Sequence, residues 1–441
     1  MIFSLITPGL TYAESNGKVS HSLNDSKVNV QNKVTNSLQN QFDNEDKVTF
    51  LIKFTETADV MGVAQEAKGN TQNANLSALG QEHVQRSAVI SELKSTAMKS
   101  QQKVKQFLEE EVENGNAEDI RSYHIVNGMA VTATKEVAEK LASFPDVEKL
   151  LPNEQRELIK AVETDADVPA NQTAEIEWNV DRVGAPAVWD MGIDGQGTVV
   201  ASIDTGADWE HPALQDKYRG YDPATGEVDH TYSFYDPVNG EEVPYDDQGH
   251  GTHVTGTMVG SEADGSNQVG VAPGAQWISV QAFTAEGAYD TDLLAAAEWI
   301  LAPGGDASKA PDVVNNSWGG GPGLDEWYRD AVTAWRAADI FPAFAAGNTT
   351  LTNPGGPGSV AVPANYPESF ATGSTNSSDS KSSFSLEGPS PYDEIKPDIA
   401  APGEGIRSTM PGGGYGGMSG TSMASPAVAG VVALLKSANA A

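Results

Sequence analysis

Residues 177–441 alternate short apolar runs with longer amphipathic stretches, and this alternation constrains the fold more than any other feature of the sequence. Short apolar runs are typical of strands buried on both faces, whereas apolar residues spaced three and four apart are typical of helices. The predicted strands are 197–203, 277–283, 312–317, 340–345 and 369–374, and the predicted helices are 184–191, 250–260, 291–301, 324–338 and 422–436. Alternating strands and helices predict an α/β domain in which helices cover both faces of a parallel sheet. A site is expected beyond the carboxyl ends of its strands.

Residues 47–158 show a different order of elements. The predicted strands are 48–54, 120–126, 129–134 and 147–151, and the predicted helices are 81–113 and 135–143. Asn127-Gly128 lies between two β-rich runs, which is a strong signal for a hairpin. The order strand, helix, strand, strand, helix, strand predicts a small ferredoxin-like α+β domain.

Three further segments flank these two domains. Residues 1–13 contain a short apolar stretch that ends in Thr11-Tyr12-Ala13 and is similar to the end of a signal peptide. Residues 14–46 are rich in Ser, Asn, Gln and Lys, which predicts a disordered lead-in. Residues 159–176 have little apolar periodicity, which predicts an exposed linker where proteolytic cleavage is expected.

Charge is distributed unevenly along the chain. Residues 1–160 contain 17 Lys and Arg against 22 Asp and Glu, a net charge of −5, whereas residues 161–441 contain 10 against 39, a net charge of −29. A domain this acidic repels nucleic acids and anionic membrane surfaces, so neither is an expected partner. The chain has no cysteine, which excludes disulfides and cysteine-ligated metals. It also has no run of 18 apolar residues that would predict a membrane span.

Three segments carry candidate catalytic groups: the apolar run that ends in Asp204, a glycine-flanked stretch that contains His250, and Gly420–Pro426, which contains Ser422. A serine hydroxyl becomes an effective nucleophile when a base takes its proton, and imidazole suits that task near neutral pH. A buried carboxylate then orients the imidazole. Ser422 alone would more often be an ordinary helix cap. Pro426 is expected in the first turn of the helix, and the glycines of 412–417 predict a flexible loop before it.

These segments resemble the catalytic segments of the subtilisin-like serine proteases (subtilases), whose triad has the chain order Asp, His, Ser. The resemblance covers about residues 177–441, and residues 47–158 resemble the inhibitor-type propeptide of the same family. It implies a secreted serine endopeptidase that is made as a self-processing precursor and acts on protein or peptide substrates. The propeptide would assist folding and then act as an intramolecular inhibitor. No cofactor is implied for catalysis.

Carried over by position, the resemblance implies a role for each site residue. Asp204 would orient the base, His250 would be the base, and Ser422 would be the nucleophile. Asn348, which ends the segment Ala345-Ala346-Gly347-Asn348, would donate to the oxyanion. The substrate backbone would pair, as an added β-strand, with a segment that lines the specificity pocket, namely Ser317, Trp318, Gly319 and Gly320.

Two metal sites were weighed against these roles. His250 and His253 could bind zinc with Asp247, but helical zinc motifs place their histidines four residues apart and include a glutamate. No metal ligand is therefore predicted, and His253 and His211 are expected to be packed structural residues. The acidic insertion could bind calcium, but it lacks a regular ligand spacing and is expected to be a solvated loop; it includes Asp236, Glu241, Glu242, Asp246 and Asp247. The resemblance leaves a structural calcium open without assigning its ligands, because the family often has Asp where this chain has Ala213.

Two other classes of function fit the sequence less well. A non-catalytic binding protein with a degenerate protease fold is expected to have lost one of the three motifs, and all three are intact. An esterase of the α/β-hydrolase kind requires G-x-S-x-G and the chain order Ser, Asp, His, whereas Ala424 stands at the second glycine of that motif. Only 19 residues follow Ser422, so the chain is expected to be a fragment of a longer precursor, trimmed at both ends.

Overall fold

The computed structural model describes residues 33–71, 76–162 and 176–440. The predictions for residues 1–13 and for most of the lead-in lie outside the described residues, as do those for 163–175 of the linker. The described chain forms an N-terminal α+β unit, a short extended segment, and a larger α/β unit.

The N-terminal unit is a four-stranded antiparallel sheet covered by helices. Its elements are α1 (Asn36–Phe42), β1 (Lys47–Phe54), α2 (Val60–Thr71), α3 (Ala78–Glu113), β2 (Ala117–Tyr123), β3 (Gly128–Thr134), α4 (Lys135–Ala142) and β4 (Val147–Pro152). The strand order β2-β3-β1-β4, with every neighbouring pair antiparallel, confirms the predicted ferredoxin-like domain. Helix α2 was not predicted, and β2 lies about three residues before its predicted place.

The prediction of a disordered lead-in is wrong for residues 33–46. Thr35 caps α1 by accepting from the Leu38 N–H at 3.4 Å, and the Phe42 ring lies 6.0 Å from that of Phe50. Val34, Leu38 and Phe42 are all buried against the sheet. Leu38 and Phe42 are four residues apart, so α1 places them on one face, whereas Val34 precedes the helix and pairs with Leu150 as a β-bridge. The average composition of the segment concealed this spacing.

The α/β unit is built on a seven-stranded parallel sheet. An extended segment, β5 (Gln155–Leu158), precedes this unit. Its elements are α5 (Trp178–Arg182), α6 (Ala185–Trp189), β6 (Val199–Asp204), β7 (Phe234–Tyr235), α7 (His250–Val259), β8 (Gln276–Gln281), β9 (Ala288–Tyr289), α8 (Asp290–Leu301), β10 (Val313–Asn316), β11 (Trp318–Gly319), α9 (Arg329–Ala337), β12 (Phe341–Ala345), β13 (Phe370–Thr375), β14 (Ile399–Pro402), β15 (Ile406–Met410), β16 (Gly414–Met418) and α10 (Thr421–Ala440). The order of strands in the parallel sheet is β14-β13-β12-β10-β6-β8-β7. The five predicted strands are confirmed as β6, β8, β10, β12 and β13.

Helices cover both faces of this sheet, as the alternation predicted. Alternate residues of β6 face opposite ways, so that Ala201 and Ile203 pack with α8 and α9 while Val200 packs with α7 and α10. In the sheet, β8 lies on one side of β6, and β10, which comes later in the chain, lies on the other side. The direction in which successive strands are added therefore reverses between β6 and β10. Such a reversal opens a crevice at the carboxyl ends of the two strands.

Two predictions about the segment around α10 are wrong. Residues 412–417 are not a flexible loop but part of the antiparallel hairpin β15–β16, in which Gly412 and Gly413 make the turn at φ +84° and +82°. Pro426 is the sixth residue of α10 and lies beyond the first turn. By length and composition alone α10 could cross a membrane, but 72% of its apolar window is buried inside the protein, as in a core helix.

Candidate active site

Asp204 and His250 meet at the carboxyl end of β6. Asp204 is the last residue of the strand, and His250 is the first residue of α7; the His250 Nδ1–H donates to Asp204 Oδ1 at 2.8 Å. The Thr205 N–H donates to the same oxygen at 2.8 Å. Close approach depends on glycine, since a Cβ at Gly251 would lie 2.0 Å from the Gly206 carbonyl oxygen. A buried carboxylate therefore fixes the orientation of the imidazole.

The environment of His250 strengthens it as a base. Burial lowers the pKa of His250, but the charge of Asp204, its hydrogen bond and the charge of Asp246 outweigh burial and raise the pKa above its usual value. A higher pKa favours uptake of a proton by the imidazole. His250 Nε2, on the far side of the ring, has no hydrogen-bond partner among the described residues.

Asp246, His253 and His211 have structural contacts. Asp246 accepts from the N–H and the hydroxyl of Thr252 at 2.8 and 2.6 Å, and so caps α7. His253 is buried and its Nε2–H donates to the Ile406 carbonyl, while His211 Nε2–H donates to that of Gly414; both confirm the predicted packing role. Within the described ranges, no three His, Asp or Glu side chains lie close enough to hold a metal ion.

Ser422 is the second residue of α10, and its surroundings explain how the helix tolerates Pro426. A proline has no N–H, so the carbonyl four residues earlier, that of Ser422, loses its helical partner. The Ser317 hydroxyl donates to this carbonyl at 3.1 Å and replaces the missing bond. Asn315 joins the same network, because its Nδ2–H donates to Ser317 Oγ and its Oδ1 accepts from Ser425. The end of β10 is thereby fixed to the first turns of α10.

Asn348 lies beside Ser422 and is held by Thr421. Asn348 Oδ1 accepts from the N–H and the hydroxyl of Thr421 at 3.0 and 2.9 Å, and Thr421 Oγ1 accepts from the Gly347 N–H at 3.1 Å. These bonds occupy the amide oxygen of Asn348. They direct its Nδ2–H toward the crevice, where it can donate to a bound group. Thr421 was not predicted as a site residue.

The crevice holds the chain's own segment 155–162, which we call the tail. Strand β5 of the tail lies between β9 and β11 and pairs antiparallel with both, with Leu158 opposite Trp318 and Glu157 opposite Gly319. The Ile159 N–H continues the ladder by donating to the Ser317 carbonyl at 3.3 Å. The tail is thus an added β-strand, and it pairs with the edge on which the substrate backbone is predicted to pair.

The tail also contacts both candidate polar donors. Ser422 Oγ–H donates to the Ile159 carbonyl at 2.8 Å, and Asn348 Nδ2–H donates to the next carbonyl, that of Lys160, at 3.0 Å. Farther on, the Val162 N–H donates to the Ser419 carbonyl at 2.7 Å. The prediction of an exposed linker is therefore wrong for Ile159, which is buried, whereas Lys160 and Ala161 are exposed although backbone contacts hold the segment. Backbone groups hold this segment, and the identities of its side chains do not reveal these contacts.

The four predicted substrate-binding residues do not act alike. Ser317 and Gly319 contact the tail through their backbones, and a Cβ at Gly319 would lie 3.8 Å from Ile159 Cδ1. A Cβ at Gly320 would lie 3.5 Å from a guanidinium nitrogen of Arg156. The Trp318 ring instead points into the core, where it packs edge-on against Tyr328 and Phe344. The glycines leave room for tail side chains, and the tryptophan anchors the strand.

An α/β unit with a buried Asp–His pair, whose crevice holds the chain's own strand against a serine hydroxyl, defines a class of protein, a hydrolase domain covered by its own N-terminal unit. Residues 195–441 match the Subtilase family and residues 49–159 match the peptidase inhibitor I9 family. The chain belongs to the subtilase family.

Individual relatives agree with this assignment. The chain is 55% identical to bacillopeptidase F of Bacillus subtilis (strain 168) over its whole length, which is 32% of that protein. It is 33% identical to subtilisin E of Bacillus subtilis (strain 168) over 72% of each chain, and 34% identical to M-protease of Shouchella clausii (strain KSM-K16) over 64% of each. The chain thus spans about a third of the length of bacillopeptidase F.

Proposed function

We propose that the chain is a serine endopeptidase made as a self-processing precursor, with Asp204, His250 and Ser422 as its triad. One observation carries the proposal: the Ser422 hydroxyl contacts a peptide carbonyl of an extended strand seated in the crevice. An extended peptide bound through its backbone beside a nucleophile is the arrangement that peptide-bond hydrolysis requires.

The proposed reaction begins at the Ile159 carbonyl. Ser422 Oγ attacks the carbonyl carbon while His250 Nε2 takes the hydroxyl proton, and Asp204 stabilises the resulting imidazolium. The Asn348 amide donates to the oxyanion after shifting from the neighbouring Lys160 carbonyl. The bond from Ile159 to the Lys160 nitrogen then breaks, and His250 returns the proton to that nitrogen. Water, deprotonated by His250, finally releases the acyl group from Ser422.

Three features of the tail support Ile159–Lys160 as the first bond cleaved. The nucleophile contacts the Ile159 carbonyl, the Ile159 N–H extends the ladder onto Ser317, and the Ile159 side chain is buried next to Gly319, whereas that of Lys160 is 78% exposed. We therefore expect an N-terminal sequence that starts at Lys160. A start at Ala161 would mean that the attacked carbonyl is that of Lys160, which accepts from Asn348. If the sequence starts at neither Lys160 nor Ala161, the tail is not the first substrate.

After cleavage, the N-terminal unit is proposed to remain bound as an inhibitor, because it occupies the crevice and a neighbouring face of the α/β unit. Proteins and peptides are the proposed substrates, and the family membership supports secretion as the proposed location. The three side chains supply nucleophile, base and orienting carboxylate, so the reaction needs no cofactor. A structural calcium is left unassigned, and amidase activity is expected to survive a short exposure to a chelator.

A serine-directed fluorophosphonate probe tests the proposal on the full chain. Ser422→Ala is expected to abolish labelling and self-cleavage, a loss of about 10⁶-fold in turnover. Ser437→Ala is the matched control, because Ser437 lies in the same helix but bonds to Gln196 at its far end. If the folded wild-type chain, freed of its N-terminal unit, fails to react, the protein is a non-catalytic binding protein with a protease fold.

A further inference from the structure

The crevice contains a second site, formed around the guanidinium of Arg156 in the tail. Arg156 Nε–H donates to Asp290 Oδ1 at 2.7 Å and Nη2–H donates to Asp290 Oδ2 at 3.0 Å, a two-pronged contact. Arg156 Nη1–H donates to Asp325 Oδ2 at 3.1 Å, and the guanidinium carbon lies 4.6 Å from the centroid of the Trp327 ring. Two carboxylates and an aromatic face of the α/β unit therefore surround one planar cation, and Glu154, two residues before Arg156, adds a third carboxylate at 3.2 Å. We call Asp290, Asp325 and Trp327 the guanidinium cage.

All three members of the cage belong to the α/β unit, and only the cation comes from the tail. Asp290 begins α8, while Asp325 and Trp327 lie between β11 and α9. The Asp290 side chain is 2% exposed, and burial raises its pKa to about 6 against the opposing effect of Arg156. A buried carboxylate is costly unless a cation pairs with it. The cage is therefore built to hold a cation at this point of the crevice.

The position of the cage is fixed relative to the proposed cleavage site. Arg156 lies three residues before Ile159, whose carbonyl contacts Ser422, on a strand whose register is set by β9 and β11. Any extended peptide that pairs in the same register places its corresponding side chain against the same cage, because side chains alternate with a period of two along a strand. Gly320 leaves space for this side chain to pass.

We propose that the guanidinium cage is a specificity site of the protease, which selects peptides with arginine at the fourth residue before the cleaved bond. The proposal rests on the proposed endopeptidase function. Arginine is favoured over lysine because its planar fork matches the two oxygens of Asp290 and stacks on an indole ring, whereas an ammonium is a point charge. The net charge of −29 on residues 161–441 also draws cationic peptides toward this surface.

The test compares four fluorogenic peptides as substrates of the α/β unit, after the full chain has processed itself and the cleaved N-terminal unit has been diluted away. The peptides are acetyl-X-Glu-Leu-Ile aminocoumarin amides in which X is arginine, citrulline, lysine or leucine. Citrulline keeps the shape of arginine but carries no charge. Hydrogen bonds to charged groups are stronger than neutral ones. We therefore expect kcat/KM to be about tenfold to 100-fold higher for the arginine peptide than for the citrulline peptide, with the lysine peptide between them. Moving the arginine one residue farther from the coumarin should remove the preference.

Variants of the cage show whether these residues cause the preference. Asp290→Asn is expected to abolish the preference for arginine, and Asp325→Asn to reduce it. Because the Asp325 side chain is 42% exposed, this second variant keeps the test decisive if Asp290→Asn fails to fold. Asp190→Asn, at an exposed position after α6, is the matched control and should leave the preference unchanged.

The results separate this proposal from the proposed function. Equal kcat/KM for arginine and citrulline on the wild-type protein would overturn the cage as a specificity site, and so would a preference that survives in both cage variants. In either case hydrolysis itself would still support the endopeptidase. Failure to hydrolyse any peptide, together with failure to react with the fluorophosphonate, would instead count against the proposed function.

Discussion

The N-terminal unit holds the α/β unit through two surfaces that differ in kind. In the tail, backbone groups make most of the contacts, as in the pairing of Leu158 with Trp318 and of Glu157 with Gly319. On the neighbouring face, side chains bind helix ends. Arg86 of α3 donates to the Ala338, Ala310 and Pro311 carbonyls at 3.1 Å each. Any extended peptide can make the first kind of contact, whereas the second requires this domain.

The difference separates two tasks within one inhibitor. On the face, Arg86 is 3% exposed, and its positive charge lies at the C-terminal end of α9, where a helix favours a cation. Glu298 of α8 accepts in turn from the N–H groups of His124 and Ile125 at 2.6 and 3.2 Å. The face therefore determines which domain binds and how firmly. The tail instead shows what the crevice accepts. Arg156 is the tail residue whose side chain makes several polar contacts with the α/β unit.

Removing the central side chain of the face should have the largest effect. Arg86→Ala leaves buried carbonyls without donors and leaves Glu82 with only the more distant Lys436 as a partner, which costs about 3–5 kcal/mol. The tail contacts remain, so self-cleavage should proceed while the cleaved unit dissociates far more readily. The dilution at which amidase activity appears measures this affinity. Arg182→Ala, which breaks an exposed pair with Asp379, is the control and should change it by under about 1 kcal/mol. Equal shifts in the two variants would contradict the assigned role of the face.

On the tail side, Asn348→Ala should separate catalysis from binding. Loss of an oxyanion donor lowers kcat by about 10²–10³-fold. Loss of one neutral hydrogen bond to the Lys160 carbonyl weakens the tail by only about 0.5–1.5 kcal/mol. Steady-state kinetics and the dilution assay measure these two quantities. Asn353→Ala, in a surface loop, should change neither, and a variant that lost binding as severely as turnover would argue against the oxyanion role.

Acid should lower the free energy of unfolding of the α/β unit, because this unit contains a buried histidine, His253. Burial is the largest cause that lowers the pKa of His253, to about 3 from an ordinary value of 6.5. Between these values the unfolded chain binds a proton that the folded chain does not, so the free energy of unfolding rises with pH from about 3 to 6.5. The contribution to the slope approaches about 1.4 kcal/mol per pH unit.

Urea unfolding of the inactive Ser422→Ala chain checks this slope at pH 4 to 6. All eight tryptophans lie between residues 178 and 335, so their fluorescence follows the α/β unit alone. His253→Gln should reduce the slope by about one proton whatever it does to the absolute free energy. An unchanged slope would show that other groups cause the sensitivity to acid.

Exposed side chains of the tail should matter least. Glu157 and Lys160 form an ion pair with side chains that are 76% and 78% exposed. Replacing both by alanine should change the affinity of the cleaved unit by under about 0.5 kcal/mol, because the tail is held by its backbone. The dilution assay that measures Arg86→Ala serves here too. A large loss would mean that the tail binds through its side chains throughout, and the contrast with the face would not hold.

The parallel sheet and the candidate catalytic residues could be predicted from the sequence, and the physical reasons can be stated. Strands buried on both faces must be continuous apolar runs, so β6, β10, β12 and β13 were visible directly. The positions of Asp204, His250 and Ser422 followed from the glycines and the strand or helix around each residue. Their catalytic roles remain predictions, although the bond between Asp204 and His250 and the contact of Ser422 with the tail agree with them.

What the sequence concealed depends on tertiary contacts or on backbone alone. The hairpin β15–β16 contains few apolar residues, so composition suggested a loop where backbone pairing makes strands. The guanidinium cage was not visible because Arg156 lies 134 residues before Asp290 and 169 before Asp325. The Ser317 hydroxyl that replaces the helical bond lost at Pro426 was concealed in the same way.

Only Asn153 and Glu154 separate β4, which ends at Pro152, from β5, which begins at Gln155. The tail is therefore attached by a very short tether to a domain that is docked on its own. Cutting the chain after Ile159 does not free the crevice, since the docked domain keeps the new chain end at an effective concentration on the order of millimolar. Substrates must compete with this local concentration as long as the domain stays in place. Activity should thus appear when the N-terminal domain dissociates on dilution or is digested by another protease molecule.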